Sequence, residues 1–171
     1  DEQVRFTRYF GKIESSGKKS NITKAKDRRL SADLADVSNL DKNNKPFTKN
    51  DPRRIFNLGN RLWHTDSSFT EEPISASLLH AIEVSDQGGQ TSFLNMYMAY
   101  ETLPVELRKV VDGAYSNHSK THSSDGTPRQ SYGEITDVSK APGIRHPLVR
   151  LHPVTRKKCL FLGRRLNSFI F

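Results

Sequence analysis

Between Ser77 and Val84 the side chains alternate, and the alternation ends at two consecutive glycines. Leu78, His80, Ile82 and Val84 fall on one side of an extended backbone, and Ser77, Leu79, Ala81 and Glu83 on the other. Residues two apart share a face in a strand, so the spacing predicts a strand over this run. Pro73 bounds it on one side and Asp86-Gln87-Gly88-Gly89 on the other, where glycine can take the left-handed backbone that a tight turn demands. Thr91 to Leu94 follows as a returning strand, in residues that suit a pleated surface.

Helical signals are short and flank this unit. Val4, Phe6, Tyr9 and Phe10 predict one helix at the start, stopped by Gly11. Asn95 can cap a helix through Met96 to Tyr100, and Pro104 opens another through Val105, Leu107, Val110 and Val111, closed by Gly113. The rest of 1–60 is polar and reads as loops. The stretch 116–142 is rich in Ser, Thr, Gly and Pro and reads as one long surface loop or lid. His146 to His152 and Lys158 to Leu162 predict two strands joined by the turn Pro153-Val154-Thr155-Arg156.

Composition narrows the function classes. The hydrophobic share of 34% is lean for a self-sufficient core, yet nine Phe, five Tyr and one Trp argue against wholesale disorder. A net charge of +8 favours anionic partners. The densest basic stretch, Gly17 to Arg29, lacks the interleaved aromatics of a base-stacking surface, so no nucleic-acid partner is expected. The lone Cys159, in an apolar run, excludes an internal disulfide and any multi-cysteine zinc site. No segment approaches the ~18 apolar residues of a bilayer span and no signal-peptide pattern is present, so the expectation is a cytoplasmic protein without a membrane partner. The sequon Asn21-Ile22-Thr23 is then a chance match, and self-association into a homo-oligomer is left open.

The chemistry-bearing segment is Asn60-Arg61-Leu62-Trp63-His64-Thr65-Asp66-Ser67-Ser68-Phe69. In extended backbone His64 and Asp66 can present an imidazole nitrogen and a carboxylate oxygen toward one point. With one more histidine they would form the facial triad that holds Fe(II) on one face and leaves the opposite positions open. The triplet taken alone reads more readily as a surface hydrogen-bonded pair. Trp63 and Phe69 add the apolar bulk of a partly dry pocket, with the strand and the double glycine immediately after.

The order of these segments is similar to that of the TauD/TfdA family of 2-oxoglutarate-dependent dioxygenases. Leu58-Gly59-Asn60 through Phe69 resembles the family's iron-binding segment, and Gly88-Gly89-Gln90-Thr91-Ser92-Phe93 its Gly-Gly-x-Thr segment. Ala99-Tyr100-Glu101 with Leu103-Pro104 fits the helix that comes next; His146-Pro147-Leu148-Val149 and Phe161-Leu162-Gly163-Arg164 resemble later strands. The resemblance implies a mostly β fold: a double-stranded β-helix, a jelly-roll or cupin-like core with flanking helices. It implies that His64 and Asp66 bind Fe(II), that Thr91 hydrogen-bonds the carboxylate of the cosubstrate 2-oxoglutarate, and that O2 is consumed. A small anionic metabolite would then be oxidised at an unactivated C–H bond, with release of succinate and CO2. Asn60, Ser67 and Ser68 border the metal segment as candidate substrate contacts, with stiffening of the loop as the competing role.

The family's third ligand is a distal histidine, followed by an arginine suited to bidentate pairing with the far carboxylate of 2-oxoglutarate. Leu166-Asn167-Ser168-Phe169-Ile170-Phe171 supplies neither. Of the other histidines, His80 is expected to be packed, His118 and His122 to lie in a solvated loop, and His146 and His152 to serve local geometry before proline. Residues 1–171 are thus expected to form a single, incomplete dioxygenase domain: a fragment of a longer enzyme, or a shortened homologue that keeps the fold as a catalytically incomplete or basic binding module.

Overall fold

The computed structural model describes residues 2–14, 23–122, 128, 132–133, 135–163 and 169–170. Four short helices, α1 (Glu2–Thr7), α2 (Pro52–Leu58), α3 (Met96–Glu101) and α4 (Val105–Val111), accompany five strands, β1 (Tyr115–Ser119), β2 (Gly143–Pro147), β3 (Val149–Leu151), β4 (Lys158–Leu160) and β5 (Phe169–Ile170). Coil predominates, and the strands are short.

The helices follow their local signals. A 3-10 turn over Arg8–Phe10 extends α1 until Gly11, at φ 138°, ends it. Asn95 accepts from the backbone N–H of Tyr97 and Met98 and so caps α3. Pro104 precedes α4, and Gly113 turns the chain away from it at φ 87°. The polar reading of 1–60 overlooked α2, whose signal was present: Asp51 accepts from Arg53 N–H as N-cap, and Pro52 occupies the first turn.

Strand β1 is the centre of an antiparallel sheet in the order β2-β1-β5, with Ser116 opposite His146 and His118 opposite Ile144. A separate hairpin pairs β3 with β4 around a turn in which Arg156 takes φ 58°, as the turn Pro153 to Arg156 predicts. Leu148 joins the two sheets. Its N–H donates to the Ala114 carbonyl at 2.9 Å, its carbonyl accepts from Phe161 N–H at 2.8 Å, and its side chain is fully buried. Tyr100 fastens α3 to β4, since its hydroxyl donates to Asp112 at 2.9 Å and Lys158 Nζ reaches it at 3.1 Å. Among the described residues the buried apolar set is Tyr100, Ala141, Leu148 and Leu160, a core as small as the 34% apolar content implies.

Three expectations are corrected. The alternating run Ser77 to Val84, bent at Ile82 and Glu83, and the segment Thr91 to Leu94 enter no ladder with each other, although the turn between them forms, with Gly88 at φ 76° and Gly89 at φ 78°. Alternation specifies which side of a strand is to be covered; the ladder requires a partner at the right distance, and no described segment supplies one. Leu79, Ile82, Val84 and Phe93 are accordingly exposed, and so is His80, which is not packed. The stretch 116–142 opens as a strand, because polar side chains are tolerated in β1 once its backbone is paired on both edges. Asn117 donates to the Ala141 carbonyl and Ser119 shares a hydrogen bond with Thr121, while His118, expected in a solvated loop, is 1% exposed. Residues 123–127, 129–131 and 134 of that stretch lie outside the described residues, as do 15–22 of the basic stretch and sequon and 164–168 near the end.

Candidate functional site

His64 leaves a 3-10 turn over Gly59–Arg61 in extended backbone, and Asp66 begins the tight turn that runs to Phe69. His64 Nδ1 lies 2.7 Å from the Leu62 carbonyl, which can only accept, so Nδ1 carries a proton and Nε2 is the nitrogen turned toward Asp66. Nε2 stands 3.3 Å from Asp66 Oδ1. The other oxygen, Oδ2, accepts from Ser77 Oγ at 3.0 Å, which fixes the carboxylate plane. Two donors bound at right angles ~2.1 Å from one ion stand ~3.0 Å apart, so the observed separation fits a pair of adjacent ligands. An imidazole nitrogen and a carboxylate oxygen suit a hard or borderline divalent cation such as Fe(II). Among the described residues no group of three His, Cys, Asp or Glu side chains gathers at one point.

The surroundings are open. Trp63 is 60% exposed, so the dry pocket expected from Trp63 and Phe69 is not closed among the described residues. Thr91 is exposed, in the segment between Gly89 and α3. Asn60 is exposed in the 3-10 turn. Ser67 has left-handed backbone at φ 53°, and its hydroxyl donates to Glu14 at 3.3 Å. Ser68, 6% exposed, is withheld from solvent beneath the turn.

Residues 1–170 match the family described as taurine catabolism dioxygenase TauD, TfdA. The chain belongs to the TauD/TfdA family. It is 34% identical over 163 residues to an alpha-ketoglutarate-dependent 2,4-dichlorophenoxyacetate dioxygenase of Burkholderia sp. (strain RASC), covering 95% of this chain and 54% of that protein. A protein of the same description from Cupriavidus pinatubonensis is 35% identical over 168 residues, with 95% and 56% covered. Among solved structures, that of AAD-2 in complex with Mn(II) and N-oxalylglycine aligns with a TM-score of 0.77 at 41% identity, over 95% of this chain and 56% of that one. The chain spans about half the length of these relatives. TauD/TfdA membership accords with the His-x-Asp pair.

Two features around the His64–Asp66 pair were not legible in the sequence. Ser77 reaches Asp66 from 11 residues away, across a turn, and nothing in its surroundings marks it as a partner. Behind the turn lies a cluster of His118, His146 and Phe161, ring centroids 5.0 to 5.2 Å apart, with the Arg150 guanidinium 4.5 Å over Phe161. Burial holds His118 down to about 4, helped by its neighbour His146, and burial also lowers His146, so both rings are neutral near pH 7. Neither ring nitrogen of His118 has a hydrogen-bond partner of good geometry.

Proposed function

We propose that this chain carries the front part of the active site of an Fe(II)- and 2-oxoglutarate-dependent dioxygenase acting on a small carboxylate or sulfonate with an organic body. The observation that carries the reading is the convergence of His64 Nε2 and Asp66 Oδ1 at 3.3 Å, with each group's other polar atom already committed, to the Leu62 carbonyl and Ser77. A surface ion pair needs no such orientation of both partners; a ligand pair does. The family relationship, the dioxygenase descriptions of its members and the net charge of +8 support the same reading.

In this reading His64 and Asp66 hold the iron. Bound iron with 2-oxoglutarate and O2 would supply the oxidation of the substrate C–H bond, giving succinate and CO2. The protein's own share is placement. The Leu62 carbonyl holds His64 Nδ1–H and so turns Nε2 toward the side on which Asp66 Oδ1 stands. Asp66 offers one oxygen while Ser77 keeps the other in place. Thr91 donates its hydroxyl to a carboxylate of the cosubstrate, and Asn60 and Ser67, on the rim, contact the substrate. Ser68, being buried, supports the turn instead.

The test uses the full-length protein with Fe(II), 2-oxoglutarate and a panel of aryloxyalkanoates and alkyl sulfonates. Succinate is expected to form with at least one of them, and to vanish on His64→Ala or Asp66→Ala. Activity that survives either substitution refutes the assignment. Salt-dependent nucleic-acid binding that ignores both substitutions would instead establish a basic binding module.

A further inference from the structure

We propose that His146 is a positioning residue for the iron-binding segment: its Nε2–H holds the Thr70 carbonyl and so fixes the turn that begins at Asp66. The inference rests on the assignment of His64 and Asp66 made above.

The turn after Asp66 is costly to hold. Ser67 is a non-glycine residue at φ 53°, a conformation that persists only where its surroundings determine it. Thr70 closes the turn twice on the Ser67 carbonyl, through its N–H at 3.0 Å and its Oγ1 at 2.7 Å. These bonds make the turn rigid within itself but do not tie it to the rest of the molecule. Beside the contact of Ser67 with Glu14, a tie is supplied from β2, where His146 Nε2 lies 3.1 Å from the Thr70 carbonyl, 76 residues away in sequence. A carbonyl only accepts, so Nε2 carries the proton and the hydrogen bond survives as long as the ring stays in place.

The ring is held in place from behind. His146 meets His118 edge to face at 5.0 Å and Phe161 edge to face at 5.2 Å, while His118 stacks on Phe161 at 5.0 Å. His118 itself has no room to shift. A Cβ at Gly163 would stand 3.1 Å from its Cγ, and its residue is 1% exposed. The buried sheet thus fixes the His118 ring, which fixes His146, which fixes the Thr70 carbonyl four residues beyond Asp66. His146 is 6% exposed and touches neither proposed ligand, so its contribution is orientation rather than chemistry.

The test is Mn(II) affinity of the full-length protein, read from the electron paramagnetic resonance signal of the free ion, alongside the urea midpoint. His146→Phe keeps the ring packing and removes the donor; His146→Gln restores a donor at the same reach. About tenfold weaker Mn(II) binding is expected for His146→Phe, the low end for loss of a group that orients a metal ligand, with recovery in His146→Gln. Thr70→Val, which loosens the same turn from its other side, is expected to weaken binding in the same direction and decides the matter should His146→Phe not fold. Wild-type affinity in a folded His146→Phe, no recovery in His146→Gln, or unchanged affinity in Thr70→Val each overturns the inference while the dioxygenase reading stands. Wild-type protein that binds no Mn(II), or that binds it equally with His64→Ala, overturns that reading and this inference with it.

Discussion

Removing one hydroxyl should separate a metal-ligand pair from a surface ion pair. Ser77 Oγ donates to Asp66 Oδ2 at 3.0 Å, and Ser77→Ala deletes that bond while leaving both proposed ligands intact. A hydrogen bond to a charged group contributes ~1.5–3 kcal/mol where water is excluded. The Asp66 side chain is 56% exposed, so water competes and roughly 1 kcal/mol is the appropriate figure. Since 1.4 kcal/mol corresponds to a factor of ten, Mn(II) affinity in the full-length protein should fall about fivefold. The urea midpoint should not move, because Ser77 is exposed and joins no ladder. Ser85→Ala provides the control: its hydroxyl is also exposed and hydrogen-bonded, but to the Gly88 carbonyl, and its loss should leave Mn(II) affinity unchanged. Equal affinities for wild type and Ser77→Ala, or an equal loss in Ser85→Ala, would refute the claim that Asp66 is oriented for a metal.

Acid should destabilise the fold through its neutral histidines. His118, held down to about 4 by burial, titrates near 6.5 once unfolded, so the unfolded state binds the extra proton between these values and stability falls as pH drops from 6.5 toward 4. His118→Leu should flatten this part of a urea-midpoint profile; an unchanged slope would refute the assignment. Gly163→Ala should lower thermal stability by roughly 1–2 kcal/mol, because the new methyl meets the His118 ring at 3.1 Å and the ring cannot retreat. A wild-type melting temperature for Gly163→Ala would show that the ring is not confined.

Legibility followed the range of the interactions. The caps at Asn95 and Gly113 and the β3–β4 turn are decided within a few residues, and each could be read from side-chain chemistry alone. The pairing of His64 with Asp66 is equally local, since two positions of extended chain bring the groups together. What escaped is set by partners far along the chain. The polarity of Ser116 to Ser119 suggested solvent, yet β2 and β5 close on both edges of β1 and convert the same residues into buried hydrogen-bonding groups. His146 carries no local sign that its acceptor is Thr70. The double glycine did turn as expected, but a turn alone makes no ladder, so the flanking apolar run stays exposed.

The two proposed ligands are oriented directly by hydrogen bonds and the scaffold is held by apolar burial, and the two should therefore respond to different mutations. Leu62 O, Ser77 Oγ and Thr70 position the His64–Asp66 segment through hydrogen bonds, whereas Leu148 joins the sheets by complete burial. Leu148→Ala removes a fully buried side chain, at a cost of ~3 kcal/mol, which at a typical slope of ~2 kcal/mol/M lowers the urea midpoint by about 1.5 M. Protein that remains folded in buffer should nevertheless bind Mn(II) nearly as wild type, because Leu148→Ala keeps the backbone bond from Phe161 N–H to the carbonyl at position 148, and the bonds to His64 and Asp66 come from Leu62 and Ser77. Ser77→Ala should show the reverse, with affinity reduced and the midpoint kept. If Leu148→Ala weakens Mn(II) binding as much as Ser77→Ala does, in samples shown to be folded, the pair is positioned by the packing of the core and the hydrogen-bond account of its geometry is wrong.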